Sequence, residues 1–168
     1  MEHPKQGGVY MKKSRCFLIA LFIISWSSLV FINKNALKRF LPAAIFISIV
    51  TKFTNIYAKK RRWWAFYQSI HPKVAGEDTW AWGPFFALTI WVLKWTYGKL
   101  PLYILVNLMI HFLFIYFVLP LLKRMGIFSL VRITGKQYFL VYLFREILLY
   151  SFQSIKEYIG SNKTNLRN

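Results

Sequence analysis

The chain of 168 residues has one cysteine, Cys16, and five acidic residues, Glu2, Glu77, Asp78, Glu146 and Glu157. A lone thiol excludes an intrachain disulfide and any Cys-x-x-Cys redox or zinc motif. So few carboxylates cannot build an acidic metal cage. The sequence has no His-Glu-x-x-His helix, no Gly-x-Ser-x-Gly turn and no Gly-x-x-x-x-Gly-Lys loop, so hydrolytic and nucleotide-using chemistry have no sequence support. Repeats and low-complexity tracts are also missing. With no catalytic residue, metal ligand or cofactor motif to assign, the chain reads as non-enzymatic.

What is present is apolar and basic. Hydrophobic residues make up 57% of the chain and aromatic residues 20%, well above a soluble domain of this length. Against them stand 23 Lys and Arg, for a net charge of +18. This combination predicts an all-α integral membrane protein with an anionic partner. Residues 1–15 form a basic amino terminus, 16–122 a four-span membrane domain, 123–159 a basic amphipathic region, and 160–168 a polar tail.

The spans follow from run length, since about 20 apolar residues cross a hydrocarbon core. The first is 16–32, behind Lys12, Lys13 and Arg15. It resembles a signal peptide in its basic start, but no small-x-small cleavage site follows. The second, 40–58, is apolar in its first half and ends at the cationic stretch Lys59-Lys60-Arg61-Arg62-Trp63-Trp64. The third, 80–97, has tryptophans near both ends, as aromatic belts do. The fourth, 100–122, has no formal charge at neutral pH and stops at Lys123-Arg124.

The segment 137–155 divides the expectation. Arg145 and Glu146 in its middle would each cost about 2.5 to 3.5 kcal/mol in a span, roughly cancelling the apolar gain. Tyr138, Tyr142, Arg145, Glu146, Gln153 and Lys156 fall along one helical stripe. A helix lying in the interface, with Arg145 and Glu146 solvated, fits that split better than a fifth span. Cationic loops stay on the cytoplasmic side. With four spans and both termini inside, 17 of the 23 cations are cytoplasmic and four outside, against 13 and seven with a fifth span. The expected location is therefore the plasma membrane, as a multi-pass protein.

Several stretches resemble an uncharacterised family of small multi-pass membrane proteins from Bacillus-type Gram-positive bacteria. They are Lys38-Arg-Phe-Leu-Pro-Ala, Lys59-Lys-Arg-Arg-Trp-Trp-Ala-Phe-Tyr, Ile70-His-Pro-Lys, Gly83-Pro-Phe-Phe-Ala-Leu-Thr-Ile-Trp, Thr96-Tyr-Gly-Lys and Leu122-Lys-Arg-Met-Gly-Ile. The resemblance covers about two thirds of the chain and implies a polytopic bacterial membrane protein, with no activity or cofactor attached.

Ionisable or amide groups inside a bilayer are the first candidates for function. Asn107 and His111 lie one turn apart on the fourth span, and Lys52 and Asn55 one turn apart on the second. The bland reading makes Asn107 and His111 interhelical hydrogen-bond glue and Lys52 a snorkelling side chain. The sharper one makes Lys52, Asn107 and His111 the polar path of a small homo-oligomeric channel or carrier for an anion or weak acid. No titratable partner for His111 is identifiable in the sequence. Lys59, Lys60, Arg61, Arg62, Trp63, Trp64, Lys123 and Arg124 are expected to meet anionic lipid headgroups or an acidic protein partner. Their placement beside spans argues against nucleic acid. The His71, Glu77 and Asp78 loop matches no metal signature and is expected to be a hydrated turn.

Overall fold

The computed structural model of the chain describes residues 6–71 and 73–165, with side chains for 13–71 and 73–162. It is about 81% helical. Three helical stretches, Lys13–Phe31, Lys34–Arg61 and Leu100–Arg124, are long and apolar enough to cross a membrane. The first is helix α1 (Gln6–Ser28), extended by a 3-10 turn over Leu29–Phe31. Asn33 then caps α2 (Lys34–Arg61), its side-chain oxygen accepting from the Asn35 amide at 2.9 Å. The second helix therefore starts six residues before the expected span, and Lys34, Lys38 and Arg39 lie on it instead of in a loop.

The third expected span is broken. Helix α3 (Gly76–Trp82) and helix α4 (Pro84–Thr96) are separated at Gly83, where φ is −102° and ψ −107°. Proline has no amide hydrogen to continue the α3 ladder, and it is tolerated as the first residue of α4. A side chain at residue 83 is also excluded, because a Cβ there would lie 2.7 Å from the Phe22 ring of α1. Helix α4 has 13 residues, too few to cross alone, yet it is the central helix: Ile90 and Leu93 are wholly buried between α1, α2 and α5.

The fourth expected span is present as α5 (Leu100–Leu113), a π-helical turn over Phe114–Val118, and α6 (Leu119–Arg124). Pro120 accounts for the turn. It has no N–H for the carbonyl four residues back, and the ladder widens just before it, so that the Leu119 amide bonds to the Phe114 carbonyl.

Helices α2 and α6 end alike. Arg62 (φ 52°) and Gly126 (φ 64°) take left-handed conformations, and the next residues, Trp63 and Ile127, donate back to the Ala58 and Leu122 carbonyls, both at 2.9 Å. These reversals launch strands β1 (Trp64–Phe66) and β2 (Phe128–Leu130), which pair antiparallel with Ala65 opposite Ser129. The all-helical expectation is corrected by this ribbon. Trp64 is corrected with it: expected at lipid headgroups, it is buried edge-on against Tyr138.

Helix α7 (Gly135–Asn165) is one long helix through the segment expected at the interface, and it continues through the first residues of the expected tail. It packs along α2 and α5. Its first turns meet the ribbon through Tyr138, and its far end meets the start of α2, where Arg39 holds Glu157 by two hydrogen bonds of 2.5 and 2.6 Å and Lys156 donates to the Arg39 carbonyl. The helix thus runs the full height of the bundle. Its stripe of Tyr138, Tyr142, Arg145, Glu146 and Gln153 faces inward and is buried, while Leu140, Phe144, Ile147 and Ile155 face outward. The stripe is legible from sequence. It is the apolar side that is exposed and the polar stripe that the bundle encloses.

The Arg39 guanidinium, hydrogen-bonded to Glu157, holds that carboxyl below the usual carboxylate range; burial opposes the shift, and bonding from Gln153 assists it. A depressed carboxylate contributes stability above its unfolded pKa and loses it as pH falls through the folded value. Acidification through the carboxylate range should therefore lower the thermal midpoint of the wild type more than that of Glu157→Gln. The difference should be small, because the pair is partly exposed.

Candidate functional site

The polar interior lies between α2, α4, α5 and α7. On α5, the first-turn residues Leu100 and Pro101 start a helix whose positions 103, 107 and 111 recur every four residues, so Tyr103, Asn107 and His111 share its inward face and are all buried. On α7, Tyr142 and Glu146 do the same. The two rows meet. The Tyr103 hydroxyl donates to Glu146 Oε2 at 2.7 Å, and His111 Nε2 lies 3.6 Å from Glu146 Oε1. The imidazole ring also packs 4.8 Å from the Tyr142 ring, whose hydroxyl is 2.9 Å from that of Tyr138.

This corrects the expectation at its centre. His111 does have an acidic neighbour, supplied by the helix that was expected to lie outside the bundle. Neither Arg145 nor Glu146 is solvated: they are 3% and 7% exposed. Asn107 does not bridge helices as expected: its amide donates to the Tyr103 carbonyl one turn back on the same helix, at 2.8 Å.

A cavity of about 70 Å³ opens beside the pair, with Asn107, His111 and Glu146 on one wall and Trp80, Phe85, Leu88 and Phe114 around it. It has space for several water molecules beside groups able to bind them. His111 Nε2 is buried without a hydrogen-bond partner.

Lys52 is not part of this site. Its ammonium lies 3.4 Å from Asp78 Oδ2 and is half-exposed, and within one chain it does not share a cavity with Asn107 and His111. Asn55, one turn on, turns inward and lines a second, smaller cavity with Thr51, Tyr138, Tyr142 and Arg145. Glu77 and Asp78 occupy the first turn of α3, where carboxylates complement the helix dipole. Among the described residues no group of three His, Cys, Asp or Glu is placed to hold a metal.

The cations expected at the membrane surface do gather at one end. Ser14, between Lys13 and Arg15, donates to the Met125 carbonyl at 2.7 Å, and the Val131 amide bonds to the Trp63 carbonyl at 2.9 Å. Those contacts bring Lys13, Arg15, Lys59, Lys60, Arg61, Arg62, Lys123, Arg124 and Arg132 together, all exposed. Trp63 stays partly exposed beside them, stacked edge-on against Tyr57.

No family model, curated protein or solved structure matches this chain. Function has to be argued from the site.

Proposed function

We propose that the protein is a multi-pass plasma-membrane protein with five crossings, the third of them the broken pair α3 and α4. In this reading it is non-enzymatic, and its cationic end lies on the anionic cytoplasmic leaflet. The observation that carries this is an inverted polarity. Val30, Phe31, Ile24, Phe144 and Ile155 are at least 60% exposed, while Ser48, Gln153 and Thr96 are at most 1% exposed. Apolar groups outward and polar groups inward suit lipid and would be unstable in water. The nine cations at one end supply the second half of the reading, each worth about 1 kcal/mol near an anionic surface. An acidic protein partner would use the same surface.

The test is lipid selectivity. In nanodiscs the full chain should prefer spin-labelled phosphatidylglycerol to phosphatidylcholine, and replacing Lys59, Lys60, Arg61 and Arg62 with Gln should move the ratio measurably toward unity. An unchanged ratio in the variant would remove the leaflet reading and favour a protein partner.

A second reading, a small homo-oligomeric carrier for an anion or weak acid, is favoured by one observation: His111 and Glu146 form a buried titratable pair beside a cavity with space for water. A proton on this pair would be screened from bulk solvent, as proton relays in membranes require. Lys52 drops out of that reading, and Glu146 and Arg145 enter it.

A further inference from the structure

Arg145 is a buried cation without a counterion in reach. It is 3% exposed, its Nε and Nη2 have no hydrogen-bond partner, and no carboxylate lies within 4 Å of it among the described residues. Its sequence neighbour Glu146 points elsewhere, about 100° around the helix, and is engaged by Tyr103. The Tyr142 ring, 5.2 Å from the guanidinium carbon, offers the positive charge only its π-face. An isolated charge held this way is strongly destabilising unless something compensates it.

A second orphan donor shares the same space. Thr51 on α2 is 3% exposed and its hydroxyl is also unpartnered. Thr51, Asn55 and Arg145 line one small cavity of about 10 Å³, together with aromatic rings that include Trp64 and Phe85. That volume is about that of one water molecule; a halide, slightly larger, is held only when the surrounding side chains give a little, and a polyatomic anion does not fit. A guanidinium, a hydroxyl and an amide converging on a single-atom space are donors in search of an acceptor. A water would satisfy the hydrogen bonds and leave the charge uncompensated; a monatomic anion would do both.

We propose that this cavity is a halide site, with chloride held between the guanidinium of Arg145 and the hydroxyl of Thr51, and Asn55 completing the shell. Trp80, Phe85 and Tyr142 line both this cavity and the one beside His111 and Glu146, so the two sites adjoin through shared aromatic rings. This deepens the carrier reading by naming its anion, and it rests on that reading only for transport; the binding site stands on its own geometry.

The test is the thermal midpoint of the purified full chain in detergent, in sodium chloride or bromide against sodium gluconate at constant ionic strength. The midpoint should rise with halide in a saturable way. Thr51→Val should weaken the apparent chloride affinity by about tenfold, the worth of one hydrogen bond to a charged group. Arg145→Leu should abolish the halide response. If that variant does not fold, Thr51→Val decides alone. Equal midpoints in chloride and gluconate, or a Thr51→Val titration that matches the wild type, would overturn the site and leave an occupant of water only. Chloride flux from proteoliposomes is read separately: binding without flux removes the carrier and keeps the site, whereas the absence of binding removes the site whatever the flux.

Discussion

Replacing Tyr103 with phenylalanine should lower the unfolding free energy in detergent by about 1 to 3 kcal/mol, the usual cost of stranding a buried acceptor. The hydroxyl it removes is bound twice, to Glu146 Oε2 at 2.7 Å and to the Glu146 backbone carbonyl at 2.9 Å. No water can replace it cheaply, since Tyr103 is 2% and Glu146 7% exposed. The ring is retained, so its stacking on Tyr150 at 4.8 Å persists and packing changes little. Interhelical hydrogen bonds in membranes average only about 0.6 kcal/mol, because the unfolded state in lipid finds other partners. A carboxylate acceptor argues for the upper part of the range. In a Glu146→Leu background the same substitution should cost much less, since only the backbone acceptor remains. Equal costs in the two backgrounds would mean that the hydroxyl and the carboxylate are not coupled.

Much of this was legible from the residues. The runs before Ile32 and after Leu100 are helices because an uninterrupted apolar sequence of that length has one stable form in lipid. The candidates Asn107 and His111 share a face because four-residue spacing fixes that in any helix. What was not legible depends on neighbours distant in the chain. The acidic neighbour of His111 lies 35 residues further along, and no local pattern links the two. The cost assigned to Arg145 and Glu146 in a span assumed lipid around them, whereas the fold surrounds them with Tyr103, Tyr138, Tyr142 and His111. The ribbon had a readable half: Gly126 after a basic helix end marks a reversal. Its other half, Arg62 in a left-handed conformation, had no such marker, and Trp64 was taken with its charged neighbours instead of with the alternation that buries it. Lys52 gave no sign of its partner, because Asp78 comes from a helix that the sequence suggested would begin later.

The second large effect is the position of the carboxyl terminus. Helix α7 begins beside the cationic ribbon at Tyr138 and ends beside Arg39 at the opposite end of α2. If the cationic end is cytoplasmic, the far end of α7 lies outside, and the distribution of cations, 13 inside against seven outside, still obeys the inward bias. The alternative, α7 lying on the cytoplasmic surface, would expose the Arg145 and Glu146 stripe to water and leave Tyr103 and His111 facing lipid with no partner. Fusing a paired fluorescent and phosphatase reporter after Lys136 and, separately, at the carboxyl terminus separates the two. Five crossings predict fluorescence without phosphatase activity at Lys136 and phosphatase activity without fluorescence at the terminus; fluorescence at both positions would contradict the buried polar interior on which the rest depends.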